Sequence, residues 1–216
     1  MNVQAVIFDF DYTLGDATMS IVAGYRHGLT ALGWPEPDRE AVRRTVGYTL
    51  ERGYTMLTGD DDPAHQARFR ALFVECAHEL QPATTRFFPG AAELLTGLRQ
   101  AGVPAAIVTT KRSDMLRRIL QRQGAEGWFR MVVGGEEVSS PKPHPEGLLR
   151  AVDALGAPAE RTLYCGDTVI DAETAQRAGV PFAGVLNGTT TAEELSAFPH
   201  VYIAPDLWAL KKFLKL

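Results

Sequence analysis

A short apolar run that ends abruptly in two carboxylates is the feature that most constrains this chain. Residues 3–8 are mostly β-branched or apolar and predict a buried strand, and Asp9 and Asp11 follow it at once. Aspartate is depleted in strands and costly to bury without a partner, so two of them at a strand end indicate a cation or a reacting group. The alternative is a simple turn in which Asp11 and Thr13 hydrogen-bond nearby backbone amides. Segments later in the chain decide between these interpretations.

The composition indicates a globular protein that does not favour nucleic acid. Its 216 residues, 45% of them hydrophobic, allow one domain of about 150 residues plus a small insertion. The net charge is −4, with 22 basic and 26 acidic residues interspersed, so no field favours nucleic acid or an anionic membrane. No apolar run reaches the roughly 20 residues that span a bilayer, and no signal peptide is visible. Cys76 and Cys165 lack pairing or metal-ligand spacing, and we expect a cytoplasmic protein.

The first third of the chain is predicted to be all helical. Apolar residues at helical spacing predict helices at about 21–32, 37–57 and 64–80, and no convincing strand lies between residues 17 and 81. This part follows directly on the first strand. It therefore has the position of an insertion.

From residue 87 onward, helices and strands alternate. The strands are predicted at 105–108, 131–133, 162–165, 181–185 and 201–203. The helices are predicted at 91–101, 113–123, 145–155 and 169–178, with a last one from 207. Alternation of this kind predicts an α/β fold in three layers, a parallel sheet covered by helices on both faces. The first strand joins that sheet in the simplest assembly, which gives a core of residues 1–15 and 83–216 and an all-helical cap of residues 16–82.

Polar residues follow two more of the predicted strands. Thr109 and Thr110 come after strand 105–108, and Asp167 comes after strand 162–165, with Asp171 one turn into the next helix. Singly, these residues could cap helices or favour a helix amino end. Because open α/β sheets bind ligands outside the carboxyl ends of their strands, we expect them to converge with the first pair of aspartates.

A proline-rich loop adds a cation to this set. Lys142 lies in the segment Ser140-Pro141-Lys142-Pro143-His144-Pro145, which leads into a predicted helix, and alone it could be an ordinary surface lysine. The four aspartates supply the hard oxygen ligands that Mg²⁺ prefers, while Thr109 and Lys142 supply donors for an anion opposite the metal.

Four ordered segments of this chain resemble the motifs of the haloacid dehalogenase superfamily. They are Asp9-Phe10-Asp11-Tyr12-Thr13-Leu14, Val108-Thr109-Thr110-Lys111, Lys142-Pro143-His144-Pro145 and Gly166-Asp167-Thr168-Val169-Ile170-Asp171. Within the superfamily the chain is most similar to the phosphoglycolate phosphatase group, in segments 88–90, 171–179 and 187–188. The resemblance implies a Rossmann-like core with an inserted helical cap.

The resemblance also implies a reaction, the hydrolysis of a small phosphate monoester such as 2-phosphoglycolate through an aspartyl-phosphate. Asp9 is the expected nucleophile, and Asp11 is the expected general acid and base. Thr109 with its backbone amide, Thr110 and Lys142 are expected to bind the transferring group.

A magnesium ion completes the expected site. It would bind Asp9, the main-chain carbonyl of Asp11, and Asp167, with Asp171 reached directly or through water. The expected partner is a small phosphorylated metabolite, with no nucleic acid or membrane, and the chain is expected to be a monomer or homodimer.

Two residues depart from the usual motifs. Tyr12 stands where the family usually has glycine, and Thr110 stands where asparagine is common. The Tyr12 ring either points toward the cap and helps to shape the substrate pocket, or lies away from the ligand. Neither change removes a catalytic group.

Other functions are compatible with the same motifs. A sugar phosphomutase would use the same nucleophile but return the phosphoryl group to a bound hexose, and a non-catalytic phosphometabolite-binding domain could keep the fold. Phosphonate cleavage needs a lysine in the cap, and residues 17–81 contain none.

Overall fold

A computed structural model describes residues 2–216, and its centre is a six-stranded parallel sheet in the order β5-β4-β1-β6-β7-β8. Two further short strands, β2 and β3, pair with each other in antiparallel fashion. The strands are β1 (Ala5–Phe8), β2 (Gly15–Asp16), β3 (Arg86–Phe87), β4 (Ala105–Val108), β5 (Met131–Val133), β6 (Thr162–Gly166), β7 (Phe182–Val185) and β8 (Tyr202–Ala204).

Helices cover both faces of the main sheet. The α-helices of residues 2–216 are α1 (Thr18–Ala31), α2 (Arg39–Arg43), α3 (Leu50–Thr58), α4 (Pro63–Thr84), α5 (Ala91–Gln100), α6 (Ser113–Arg122), α7 (Glu146–Leu155), α8 (Val169–Ala178), α9 (Ala192–Ser196) and α10 (Leu207–Phe213). Helices α5, α6 and α10 pack on one face, and α7, α8 and α9 pack on the other. In β1, Val6 and Phe8 point to the first face, while Ala5 and Ile7 point to the second. The predicted three-layer, Rossmann-like α/β fold is confirmed.

Helices α1 to α4 have a hydrophobic cluster of their own. Tyr25, Phe69 and Phe73 lie at its centre, with ring centroids 5.1 to 6.2 Å apart. The strands β2 and β3 pair at the two points where the chain enters and leaves this helical segment. Both crossings therefore lie side by side, close to the end of β1.

One predicted helix is wrong in its extent. Residues 37–57 form α2 and α3 rather than one helix, because Gly47 adopts a left-handed φ of 98° and Thr49 caps the amino end of α3. A β-carbon on Gly47 would lie 2.9 Å from the Thr168 side chain, so the break brings this turn into contact with the loop after β6. The pair β2–β3 and the short helix α9 were not predicted. No helix among residues 2–216 has both the length and the apolar character needed to cross a membrane.

Candidate active site

The predicted site residues meet at the carboxyl ends of three adjacent strands. The strand β1 lies between β4 and β6, so Asp9, Thr109 and Asp167 leave the sheet side by side. All three are almost fully buried. Lys142 reaches the same point from the loop before α7, and Asp171 reaches it from the first turn of α8.

Lys142 is the cation at the centre of this site. Its Nζ donates hydrogen bonds to Asp9 Oδ1 at 2.8 Å, to Asp171 Oδ1 at 2.6 Å and to the Tyr164 hydroxyl at 3.2 Å. Burial disfavours the ammonium, but the charges of Asp171 and Asp9 outweigh it and raise the pKa of Lys142 well above its usual value. The lysine is therefore charged at any physiological pH.

The carboxylates outnumber this cation. Oxygen atoms of Asp9, Asp167 and Asp171 lie within 4.8 Å of one another. Burial, together with repulsion from Asp171, raises the pKa of Asp9 to about 7 despite Lys142. Burial and the charges of Asp171 and Asp9 also raise the pKa of Asp167 well above its usual value. Three acids share one lysine in this buried site, so negative charge exceeds positive charge there. A further cation at the site would therefore be stabilised.

Two buried carboxylate oxygens are available to bind a further cation, because they have no hydrogen-bond partner within residues 2–216. They are Asp167 Oδ2 and Asp11 Oδ1. The other Asp167 oxygen accepts a bond of 3.0 Å from the Thr13 hydroxyl, which fixes the carboxylate's orientation. A buried acceptor without a donor is unfavourable, and a divalent cation would satisfy it.

Asp171 differs from Asp167 because both of its oxygens are already engaged. Oδ1 accepts from Lys142 and, at 2.8 Å, from the Tyr164 hydroxyl. Oδ2 accepts from the Thr168 hydroxyl at 2.6 Å and from its amide at 3.1 Å. This carboxylate thus orients Lys142 and caps α8, and its predicted role as a metal ligand stays a prediction.

Lys111 is a site residue to which the sequence interpretation gave no role. Its Nζ lies 3.0 Å from Asp11 Oδ2 and donates a bond of 2.6 Å to Gln81 Oε1 near the end of α4. The side chains of Lys111 and Asp11 are only 6% and 12% exposed. Its position directly after Thr109 and Thr110 was the available signal, since residues just beyond a strand end share the site.

The two threonines differ in their surroundings. The Thr109 amide donates to the Val133 carbonyl at 3.0 Å, as part of the sheet. The prediction that this amide binds a ligand is therefore wrong, because the sheet already uses it. The Thr109 hydroxyl accepts a 3.3 Å bond from the Lys111 amide and keeps its own proton for another partner. Thr110 lies on the wall of the cavity beside the site.

Residues 187 and 188 close the site on the side of β7. The Asn187 side chain donates to the Thr13 carbonyl at 3.0 Å. A β-carbon on Gly188 would lie 2.1 Å from Asp167 Oδ2, so only glycine lets the backbone pass this carboxylate.

Tyr12 takes the first of the two predicted directions, toward the helical segment. Its φ is 62°, its ring is buried in the helical cluster, and its hydroxyl accepts a 2.9 Å bond from Thr18. The Arg43 guanidinium lies 5.4 Å from the ring centroid. The ring does not line the cavity, so it ties the loop of Asp9 and Asp11 to α1 and α2 instead of shaping the pocket.

Comparisons with known proteins agree with this architecture. The model of the haloacid dehalogenase-like hydrolase family matches residues 6–185. A probable phosphatase IndB of Dickeya dadantii is 36% identical over 197 residues, which cover 89% of this chain and 85% of that protein. A phosphoglycolate phosphatase of Pseudomonas putida is 32% identical over an alignment of 218 positions, which covers 96% of this chain and 78% of that protein.

A solved structure shows the same fold. A haloacid dehalogenase-like hydrolase of Bacteroides fragilis superposes with a TM-score of 0.94 at 38% identity, over 96% of this chain and 99% of that one. The predicted resemblance is confirmed: the chain belongs to the haloacid dehalogenase-like hydrolase family, as a phosphatase-type enzyme similar to the phosphoglycolate phosphatases.

Proposed function

We propose that this enzyme is a magnesium-dependent phosphatase that hydrolyses small phosphate monoesters in two steps, through an aspartyl-phosphate on Asp9. The observation that carries the proposal is the buried contact of Asp9 with Lys142 beside the unpartnered oxygen of Asp167. The name of the Pseudomonas putida relative makes 2-phosphoglycolate the first substrate to test.

Residues 16–82 act as a cap over a core of residues 1–15 and 83–216. The paired crossings at β2 and β3 and the separate hydrophobic cluster of the helical segment support this division. A cap tethered at two adjacent points can close to exclude water and open for product release.

The metal would be held by Asp9, Asp167 and the main-chain carbonyl of Asp11, with Asp171 behind them. Their hard oxygen donors, among them the unpartnered Oδ2 of Asp167, suit a magnesium ion. When bound, the ion shields the Asp9 carboxylate from the negative charge of the phosphate.

In the first step Asp9 attacks phosphorus, and the bond from phosphorus to the leaving oxygen breaks. Asp11 gives its proton to that oxygen as the alcohol departs. Lys142 neutralises the charge on the transferring group, while the Thr109 hydroxyl and Thr110 orient its oxygens. In the second step Asp11 takes a proton from the water that attacks the phosphorus of the aspartyl-phosphate, which frees Asp9 and inorganic phosphate.

Metal removal tests the proposal. We expect phosphate release from a panel of small monoesters with Mg²⁺, loss of release with a chelator, and recovery when Mg²⁺ is restored. Saturating Mg²⁺ should raise the melting temperature, since a ligand at 100 times its Kd stabilises by about 2.7 kcal/mol. The Asp167→Asn variant should lose both effects, whereas Asp153→Asn, at an exposed site on α7, should keep them. Release that persists with the chelator would refute the metal's role.

The Asp11→Asn variant tests the acid and base. Turnover should fall by about a hundredfold or more, because an amide cannot donate and recover the proton. Binding of Mg²⁺ and of inorganic phosphate should survive, since the metal contact is a main-chain carbonyl. Steady-state kinetics and calorimetry measure the two properties separately. Normal turnover would remove Asp11 from the mechanism.

A further inference from the structure

A cavity of about 520 Å³ lies between the helical segment and the sheet. Asp11, Thr110 and Lys111 line it beside the strand ends. The other walls come from α1, α3, α4 and the turn 45–49 on one side, and from α6 and residues 135–136 on the other. In the proposed function Asp11 protonates the leaving alcohol. The cavity is then the place where that alcohol lies, and any inference about the alcohol rests on the proposed function.

The cavity is larger than a two-carbon acid requires. Its volume of about 520 Å³ lies within the range of pockets for small molecules and cofactors, whereas glycolate offers about four non-hydrogen atoms beyond its ester oxygen. Pockets of this volume usually hold molecules of drug or cofactor size. A two-carbon leaving group would leave most of the walls without contact.

Much of the wall is apolar. The apolar and aromatic side chains on it include Ile21, Tyr25, Val46, Leu50, Phe73 and Met115. The rings of Tyr25 and Phe73 meet edge to face at 5.4 Å. Such a surface gains from contact with an apolar or ring-shaped group, by about 0.8 kcal/mol per buried methylene, which is about fourfold in affinity.

Each basic side chain on the wall is already paired with a carboxylate. The pairs are Lys111 with Asp11 at 3.0 Å, Arg70 with Glu51 at 2.8 Å and Arg112 with Asp114 at 3.0 Å.

A fourth wall carboxylate belongs to Glu136, which accepts hydrogen bonds from the Ser113 amide and hydroxyl. In the first step Asp11 holds a proton, so three charged acidic side chains face three basic ones on the wall, with His78 counted as neutral.

A carboxylate on the leaving group would therefore meet no net positive charge. Arg70 and Arg112 keep their carboxylate partners, and Lys111 keeps its bond to Gln81 Oε1. An uncharged alcohol avoids the cost of burying a carboxylate that no free cation neutralises.

We infer that the preferred substrate is a phosphate monoester of an uncharged alcohol that is larger than glycolate and carries a ring or another apolar face. A carboxylate close to the ester oxygen of a substrate lowers kcat/KM for that substrate. On this basis 2-phosphoglycolate is a poor substrate, although relatives are named for it.

Three esters separate the contributions of charge and size. We expect kcat/KM with Mg²⁺ to be at least about tenfold higher for benzyl phosphate than for 2-hydroxyethyl phosphate, because several more carbons are buried. The neutral 2-hydroxyethyl phosphate should in turn exceed 2-phosphoglycolate, which has similar size and an added charge. If 2-phosphoglycolate had the highest kcat/KM among the three, the inference would be overturned and the proposed function would stand. No phosphate release from any of the three would overturn both.

A variant of the wall tests the role of charge directly. Glu51→Gln leaves Arg70 unpaired in the cavity. The ratio of kcat/KM for 2-phosphoglycolate to kcat/KM for 2-hydroxyethyl phosphate should therefore rise by about two- to fivefold. Glu36→Gln is the matched control, because it frees Arg26 in the same helical segment but away from the cavity, and it should leave the ratio unchanged. An unchanged ratio in Glu51→Gln would overturn the argument from wall charge.

Discussion

Replacing Asp9 with asparagine should lower turnover by at least about a thousandfold while leaving the fold intact. The amide keeps the shape of the carboxylate but is not a nucleophile toward phosphorus. Lys142 retains Asp171 as a charged partner. The pKa of Asp9 is raised to about 7 in the folded protein, whereas an unfolded aspartate ionises near pH 4. The metal-free protein therefore loses stability as pH rises from about 4 to 7, because the folded state disfavours the ionised carboxylate. Asparagine removes that effect, and the metal-free variant should melt no lower than the parent at pH 8.

Acid quenching during turnover measures the proposed covalent step. The parent should carry acid-stable, base-labile phosphate on the chain, and Asp9→Asn should carry none. Asp153→Asn serves as the control because that aspartate is exposed on α7 and has no role in the proposed reaction. Labelled phosphate on the Asp9→Asn protein, together with retained turnover, would assign the nucleophile to another residue.

The convergence of Asp9, Thr109 and Asp167 could be predicted because it depends on local patterns. Each residue directly follows an apolar strand, and parallel strands place their carboxyl ends at one edge of the sheet. The order of the strands, with β1 between β4 and β6, was not predicted, because no local pattern in the sequence encodes it.

The role of Lys111 could not be predicted in the same way, because its contacts are remote in sequence. Asp11 and Gln81 come from the first strand end and from α4, and only the folded arrangement brings both to one ammonium. The engaged amide of Thr109 is a similar case. Its partner, Val133, lies on the neighbouring strand β5, and the register of that pairing is not visible in the sequence.

The break between α2 and α3 shows the limit of helical periodicity. Apolar spacing continues through residues 37–57, but Gly47 must adopt a left-handed conformation at the point where it meets Thr168. The positive φ of Gly47 ends the helix there and places the turn against Thr168. The direction of the Tyr12 ring depends in the same way on Thr18 and Arg43, which the fold brings beside it.

Replacing Lys142 with methionine should both abolish turnover and destabilise the metal-free protein. The substitution leaves Asp9 and Asp171 buried without their shared cation, and removing one partner of a buried ion pair typically costs about 3–5 kcal/mol. In a protein of this length that corresponds to a fall of roughly 10 °C in melting temperature.

The pH dependence of that loss distinguishes lost charge from lost packing. Lys142 is charged throughout the range from pH 5 to 8, but burial raises the pKa of Asp9 to about 7, so Asp9 is mostly protonated at pH 5 and mostly ionised at pH 8. The gap in melting temperature between parent and Lys142→Met, measured with a chelator, should therefore be larger at pH 8 than at pH 5. Lys212→Met, at an exposed position on α10, is the control and should melt with the parent at both pH values. If Lys142→Met melted within 2 °C of the parent at pH 8, the two proteins would differ by less than about 1 kcal/mol in unfolding free energy. That result would show that the lysine does not balance these acids.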